Sequence, residues 1–189
     1  GLNAAAGPSA VLDLLSTAMD AATFMALVAT CAPQVDAGTA RALVSVESGF
    51  NPHAIGVVGG VLLRQPRSRA EALATARKLN AEGWNFSVGL AQINRHNFER
   101  LGLSLDTAFE PCANLAAMQV VLGECFDRAV ESRSPPQQAL RQGLSCYYSG
   151  NFTFGLRSGY VRRVVAAAQA APVAGPVPVV FSPLSKEPS

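Results

Sequence analysis

The run Asp36-Ala37-Gly38-Thr39-Ala40-Arg41-Ala42-Leu43-Val44-Ser45-Val46-Glu47-Ser48-Gly49-Phe50-Asn51-Pro52 holds a whole helix, with its start and its stop, and an acid in an awkward place. Asp36 is a good N-cap, because its side-chain oxygen can accept from the free N–H groups of a first helical turn. Ala40, Leu43, Val44 and Glu47 then follow at offsets of three and four, which puts Glu47 on the apolar face. Gly49 suits a left-handed C-cap, and Asn51-Pro52 forces an extended exit. A carboxylate in the last turn meets the negative end of the helix dipole, which raises its pKa, and apolar neighbours raise it further. An acid that keeps its proton near neutrality is what general acid catalysis needs. Local pattern alone also admits a plainer reading, a solvated carboxylate turned outward at a helix end.

Working outward, helical spacing dominates. Phe24, Leu27, Val28 and Cys31 form a core helix that Pro33 stops. Ser68 with Glu71 makes a capping box for a helix through Leu73, Ala76 and Leu79 that Gly83 ends. Pro111 opens the clearest helix of the chain, with Leu115, Met118, Leu122, Cys125 and Phe126 on a broad apolar stripe. Ser134-Pro135-Pro136 starts another, which runs through Tyr147 to Gly150-Asn151, and Tyr160 to Ala170 supplies the last. Between Ala54 and Leu63, short β-prone runs split by Gly59-Gly60 predict a small two-residue hairpin. Phe86 to Asn94 has neither period and reads as a tight connection into a short helix from Asn94 to Leu101. The expected organisation is an N-terminal arm over 1–19, a mainly α domain over 20–170 and a flexible Pro/Val/Ala/Ser-rich tail over 171–189.

The chain has 189 residues, 49% of them apolar, with 15 Lys and Arg against 13 Asp and Glu. This suits one domain with tails, and a net charge of +2 does not point to a nucleic-acid partner. The apolar stretch from Ala10 to Ala32 is interrupted by Asp13 and Asp20, short of the ~18 apolar residues a membrane span needs. No basic segment ahead of a short apolar core marks an export signal, as is expected of a mature chain from which the signal has been cleaved. Cys31, Cys112, Cys125 and Cys146 form no CxxC, and with His53 and His96 as the sole histidines no metal site is expected. Two disulfides in any of three connectivities, or four buried thiols, both remain open. Trp84 is either a sugar platform at a cleft rim or a packing hinge.

Five fragments occur in order: Glu47-Ser48-Gly49-Phe50-Asn51-Pro52, Gly89-Leu90-Ala91-Gln92-Ile93-Asn94, Pro111-Cys112-Ala113-Asn114-Leu115, Cys146-Tyr147-Tyr148-Ser149-Gly150-Asn151 and Tyr160-Val161. Together they resemble the lytic transglycosylases, and most of all those that accompany type IV secretion systems. The likeness covers roughly Asp20 to Ala170. It implies a mainly α, lysozyme-like (soluble lytic transglycosylase) domain with a small β-hairpin. It further implies cleavage of the β-1,4 bond between N-acetylmuramic acid and N-acetylglucosamine in peptidoglycan, with a 1,6-anhydro product.

Glu47 would be the catalytic acid and later base, with the substrate's own acetamido group in place of a second carboxylate. Ser48, Gly89, Gln92, Asn94, Tyr147, Asn151 and Tyr160 would bind substrate or support the acid. Neither cofactor nor metal is implied. The resemblance also implies a monomer in the periplasm that acts on glycan strands, with the tail available to secretion-system assembly components. In that compartment two disulfides are expected, Cys31 with Cys112 and Cys125 with Cys146. The chain departs from the family pattern at Ala91, where Met is usual, and at Tyr148-Ser149, where the motif has Asn-Ala; Asn151 is the candidate to replace the missing amide. The rival readings are a hydrolytic muramidase, a wall-binding module without turnover, and a scaffold that works through its tail.

Overall fold

A computed structural model describes residues 18–170, so the arm, apart from Ala18 and Met19, and the tail lie outside the described residues. The chain folds into helices α1 (Ala21–Cys31), α2 (Ala37–Ser48), α3 (Arg69–Ala81), α4 (Leu105–Ala108), α5 (Pro111–Glu131), α6 (Pro136–Ser149), α7 (Phe154–Arg157) and α8 (Tyr160–Gln169). Three short strands, β1 (Ile55–Val57), β2 (Phe86–Val88) and β3 (Ile93–Asn94), make one antiparallel sheet in that order. A lysozyme-like, mainly α domain with a small sheet is what the sequence led us to expect.

The helix starts are chemical. Asp20 accepts from Thr23 N at 2.9 Å and Asp36 from Thr39 N at 2.8 Å, while Ser68 accepts from Glu71 N at 3.2 Å. The expected capping box at Ser68 is only half made: Glu71 turns away to accept from Arg67 N and to pair with the Arg64 guanidinium. Pro111 and Pro136 sit at helix starts, where the missing N–H costs nothing. Gly49 and Gly150 take the left-handed C-cap of α2 and α6, with φ of 58° and 78°.

Burial follows from these stripes. Phe24 and Val28 from α1, Leu43 and Val44 from α2, Leu115 and Met118 from α5, and Val161 and Val164 from α8 close one core. Helix α5 packs along α6 and α1, and α2 lies along α8. The latter pairing places the end of α2 beside the start of α8, where Glu47 meets Tyr160. Among the described residues no helix is long and apolar enough to cross a membrane.

The sheet differs from the predicted hairpin. Strand β1 pairs not across Gly59-Gly60 but with β2, beyond α3, in the register Ile55 to Val88 and Val57 to Phe86. Val61 and Leu63 are fully solvent-exposed, so the second half of the expected hairpin has no face to bury. The backbone of Ile55 is instead met by a single side chain: Ile55 N donates to Gln65 Oε1 at 2.8 Å and Gln65 Nε2 donates back to Ile55 O at 2.9 Å. The true hairpin joins β2 to β3 through residues 89–92, inside the stretch read as a connection. Strands of three and two residues are too short for a period of two to show. The expected helix from Asn94 to Leu101 shrinks to a 3-10 turn, Arg95–Asn97, capped by the Asn94 side chain.

All four cysteines are paired, Cys31 with Cys112 and Cys125 with Cys146, the connectivity implied by the family resemblance. The first clips α1 to the start of α5 and the second joins α5 to α6. They span 81 and 21 residues of sequence. Restricting the unfolded chain over such loops contributes about 4 and about 3 kcal/mol respectively. Denaturant unfolding should therefore show Cys31→Ser/Cys112→Ser losing more stability than Cys125→Ser/Cys146→Ser, by roughly 1 kcal/mol.

Candidate active site

The end of α2, the hairpin turn at 89–92, α6 and the start of α8 converge on a groove. Its cavity of about 420 Å³ is lined by Glu47, Gln92, Asn94, Tyr147, Tyr148 and Phe154 among others. Glu47 is the acid among those lining residues. Its side chain is half-buried, and Tyr160 donates its hydroxyl to Glu47 Oε1 at 2.5 Å. Burial pushes the Glu47 carboxyl up to about 7; the Tyr160 hydrogen bond and the positive charge of Arg163 pull the other way and lose. Burial beside the same carboxylate raises the phenols of Tyr160 and Tyr147, so both stay protonated donors.

The remaining candidates divide by what they touch. Tyr147 donates to Ala91 O at 2.7 Å, so it braces the hairpin turn and lines the cavity. Ser48 donates to Leu90 O at 2.7 Å, tying the end of α2 to the same turn through backbone. Gln92 holds a left-handed backbone, φ 51°, and its Nε2 donates to Ala54 O and Gly89 O at 3.0 Å each. Asn94 Nδ2 donates to Asn85 Oδ1 at 2.9 Å and to Ser87 Oγ at 3.2 Å, and Asn94 Oδ1 accepts from His96 N. Both side chains reach the cavity with their shape fixed from behind.

Gly89 and Asn151 serve the fold. A Cβ at Gly89 would lie 2.4 Å from Asn114 Nδ2, on a backbone with φ 79°, so the glycine answers to Asn114 rather than to an approaching glycan. Asn151 lies off the cavity lining; its Oδ1 accepts from Thr153 N and Phe154 N at 3.1 and 2.8 Å, which shapes the entry to α7. The amide missing at Tyr148 is therefore not restored from Asn151. Tyr148 instead stacks on Tyr160, ring centroids 4.3 Å apart, and also lies parallel to Phe154 at 6.1 Å. Trp84 stands outside the cavity with its ring against Gly60.

Sequence reasoning gave Asn114 no role, yet it is fully buried and organises the turn. Asn114 Nδ2 donates to Val88 O at 2.9 Å and Ala108 O at 2.8 Å, and Asn114 Oδ1 accepts from Ala91 N at 2.8 Å. The available signal was an Asn inside an apolar helical stripe, where it gains nothing unless bonded.

A carboxyl held near 7 costs stability once ionised. Below about pH 4.5 the folded and unfolded chains both carry the proton and no difference arises. Between 4.5 and 7 the unfolded chain releases it first, which favours unfolding, and above 7 the penalty is full. Allowing for water in the open groove, this amounts to about 2 kcal/mol. Urea unfolding of Glu47→Gln should match the parent at pH 4 and exceed it by about 2 kcal/mol at pH 8.

Comparison with known proteins gives two kinds of likeness and one gap. A family model described as "Transglycosylase SLT domain" matches residues 24–152. The type IV secretion system protein virB1 of Brucella abortus biovar 1 (strain 9-941) is 50% identical over 151 residues, covering 77% of this chain and 63% of that protein. Protein virB1 of Agrobacterium fabrum (strain C58) is 36% identical over 174 residues, covering 87% and 70%, and that of Rhizobium radiobacter is 38% identical over 157 residues, covering 82% and 64%. The chain thus spans under two thirds of the length of its Brucella relative. No solved structure gives a significant match. On the span of the family model and the identity to these relatives, the chain belongs to the transglycosylase SLT family.

Proposed function

We propose that the chain is a lytic transglycosylase that cuts the β-1,4 bond between N-acetylmuramic acid and N-acetylglucosamine and leaves a 1,6-anhydro-muramic end. The supporting observation is a single acid, protonated up to about pH 7, held by Tyr160 in a cavity whose immediate lining, among the described residues, carries no second carboxylate. Retaining glycosidases place a second carboxyl about 5 Å from the first, and inverting ones leave roughly 6.5–9.5 Å for a water. With one carboxyl, both the stabilising group and the nucleophile come from the substrate.

In the first step Glu47 donates its proton to the glycosidic oxygen, the C1–O bond breaks, and the leaving sugar departs as an alcohol. Positive charge at C1 is met by the oxygen of the muramic acetamido group. The ionised Glu47, still receiving the Tyr160 hydrogen bond, then takes the proton from the C6 hydroxyl as that oxygen bonds to C1. The anhydro ring closes and Glu47 regains its starting state. Gln92 and Asn94, whose amide N–H groups are spent on the fold, present their amide oxygens to sugar hydroxyls, while Tyr147 and Tyr148 form a wall on which a sugar face packs.

Oxidised cysteines support a place in an oxidising compartment, the periplasm. Identity to the Brucella type IV secretion system proteins supports a role in opening the wall for a type IV secretion apparatus. Digestion of purified sacculi should release muropeptides with anhydro ends; ends heavier by one water would mean a hydrolase. Glu47→Gln should lower turnover roughly a thousandfold with folding intact. The rate should fall above about pH 7 as Glu47 ionises. Tyr160→Phe removes a bond that favours the ionised carboxylate, so it should shift that alkaline limb to higher pH while lowering kcat.

A further inference from the structure

Past Tyr148 the groove continues into a second lobe of about 750 Å³, which shares Asn94, Tyr147 and Tyr148 with the cavity at Glu47. The chemistry of its far wall is different. Arg100, Glu124, Asp127 and Arg128 line it, with the Cys125–Cys146 disulfide beside them. Arg100 is already committed, with its Nη1 bonded to both oxygens of Glu124 at 3.0 and 2.9 Å.

Arg128 is not. Among the described residues it forms no ion pair, and neither does Asp127. Its guanidinium lies 5.4 Å from the centre of the Phe152 ring and its Nη1 is 3.5 Å from Cys146 Sγ. These neighbours fix the fork without neutralising it. The disulfide ties Arg128 on α5, three residues from Cys125, to Tyr147 on α6, next to Cys146. The disulfide thereby restrains the spacing of the helix turns that carry Arg128 and Tyr147.

A neutral sugar would return only uncharged hydrogen bonds from its hydroxyls to these charges. A carboxylate would return a charge-assisted, fork-shaped pair of hydrogen bonds. The glycan of peptidoglycan is uncharged; its carboxylates and ammonium groups belong to the stem peptides carried on the muramic lactyl groups, beside the bonds to be cut. We propose that this lobe receives the stem peptide of the substrate, with Arg128 taking a peptide carboxylate and Asp127 facing the peptide's ammonium. The proposal rests on the transglycosylase reading and adds to it a preference for peptide-bearing over naked strands.

Equilibrium binding by the full chain carrying Glu47→Gln separates this proposal from the catalytic one, because no turnover is read. The probes are soluble glycan strands with stem peptides and the same strands stripped of them by an amidase, with the freed lactyl carboxyls capped as methylamides so that no carboxylate remains. Adding Arg128→Ala should weaken binding of peptide-bearing strands about tenfold and leave stripped strands unchanged, and Arg128→Lys, which keeps the charge without the fork, should recover part of the loss. Equal losses on both probes, or no loss on either, would overturn the proposal. Failure of the catalytic reading shows elsewhere, as absence of turnover by the unaltered chain.

Discussion

The hydrogen bond from the Tyr160 hydroxyl to Glu47 joins the first residue of α8 to the last turn of α2, across 113 residues of sequence. It has to compete with burial. Desolvation favours the neutral acid, while the bond and the charge of Arg163 favour the ionised one, and burial prevails. A deeper pocket would hold the proton too tightly to give it up; a second donor or an open surface would strip it away. The pairing of α2 with α8 and the stacking of Tyr148 on Tyr160 set where that balance falls.

The hairpin turn opposite the acid is held from three sides. Asn114 bonds to Ala91 N and Val88 O, Ser48 bonds to Leu90 O, and Tyr147 bonds to Ala91 O. Each anchor comes from a different helix, α5, α2 and α6, so the shape of the groove is fixed by elements that are themselves packed in the core. Side chains that act on a substrate must be locked by neighbours before it arrives. Much of the motif around Glu47, Gly89 and Tyr147 is this locking apparatus.

The long helices and their ends were legible because caps, prolines and apolar stripes act within a few residues: Asp36, Pro111 and Gly150 perform as their chemistry dictates. The sheet was not legible, since β1 pairs with β2 across the whole length of α3 in sequence and Gln65 takes up an edge that sequence assigned to a strand. Glu47 stood out through its helix face and position. Gly89 and Asn114 require one another, and that dependence is invisible until α5 is laid against the turn. Asn151 looked like a replacement amide because sequence shows residue type but not which groups already engage it. The family model stops at residue 152, before the tyrosine that holds the acid, so the match alone does not reach Tyr160.

Direct titration of the Glu47 carboxyl in the folded chain, by carbon-detected NMR of labelled glutamate or by its infrared band, tests most directly whether shelter keeps that proton in place. The carboxyl should remain protonated at pH 6 and ionise near pH 7. Ionisation near 4.5, the ordinary value for this side chain, would contradict it and leave the groove without its acid.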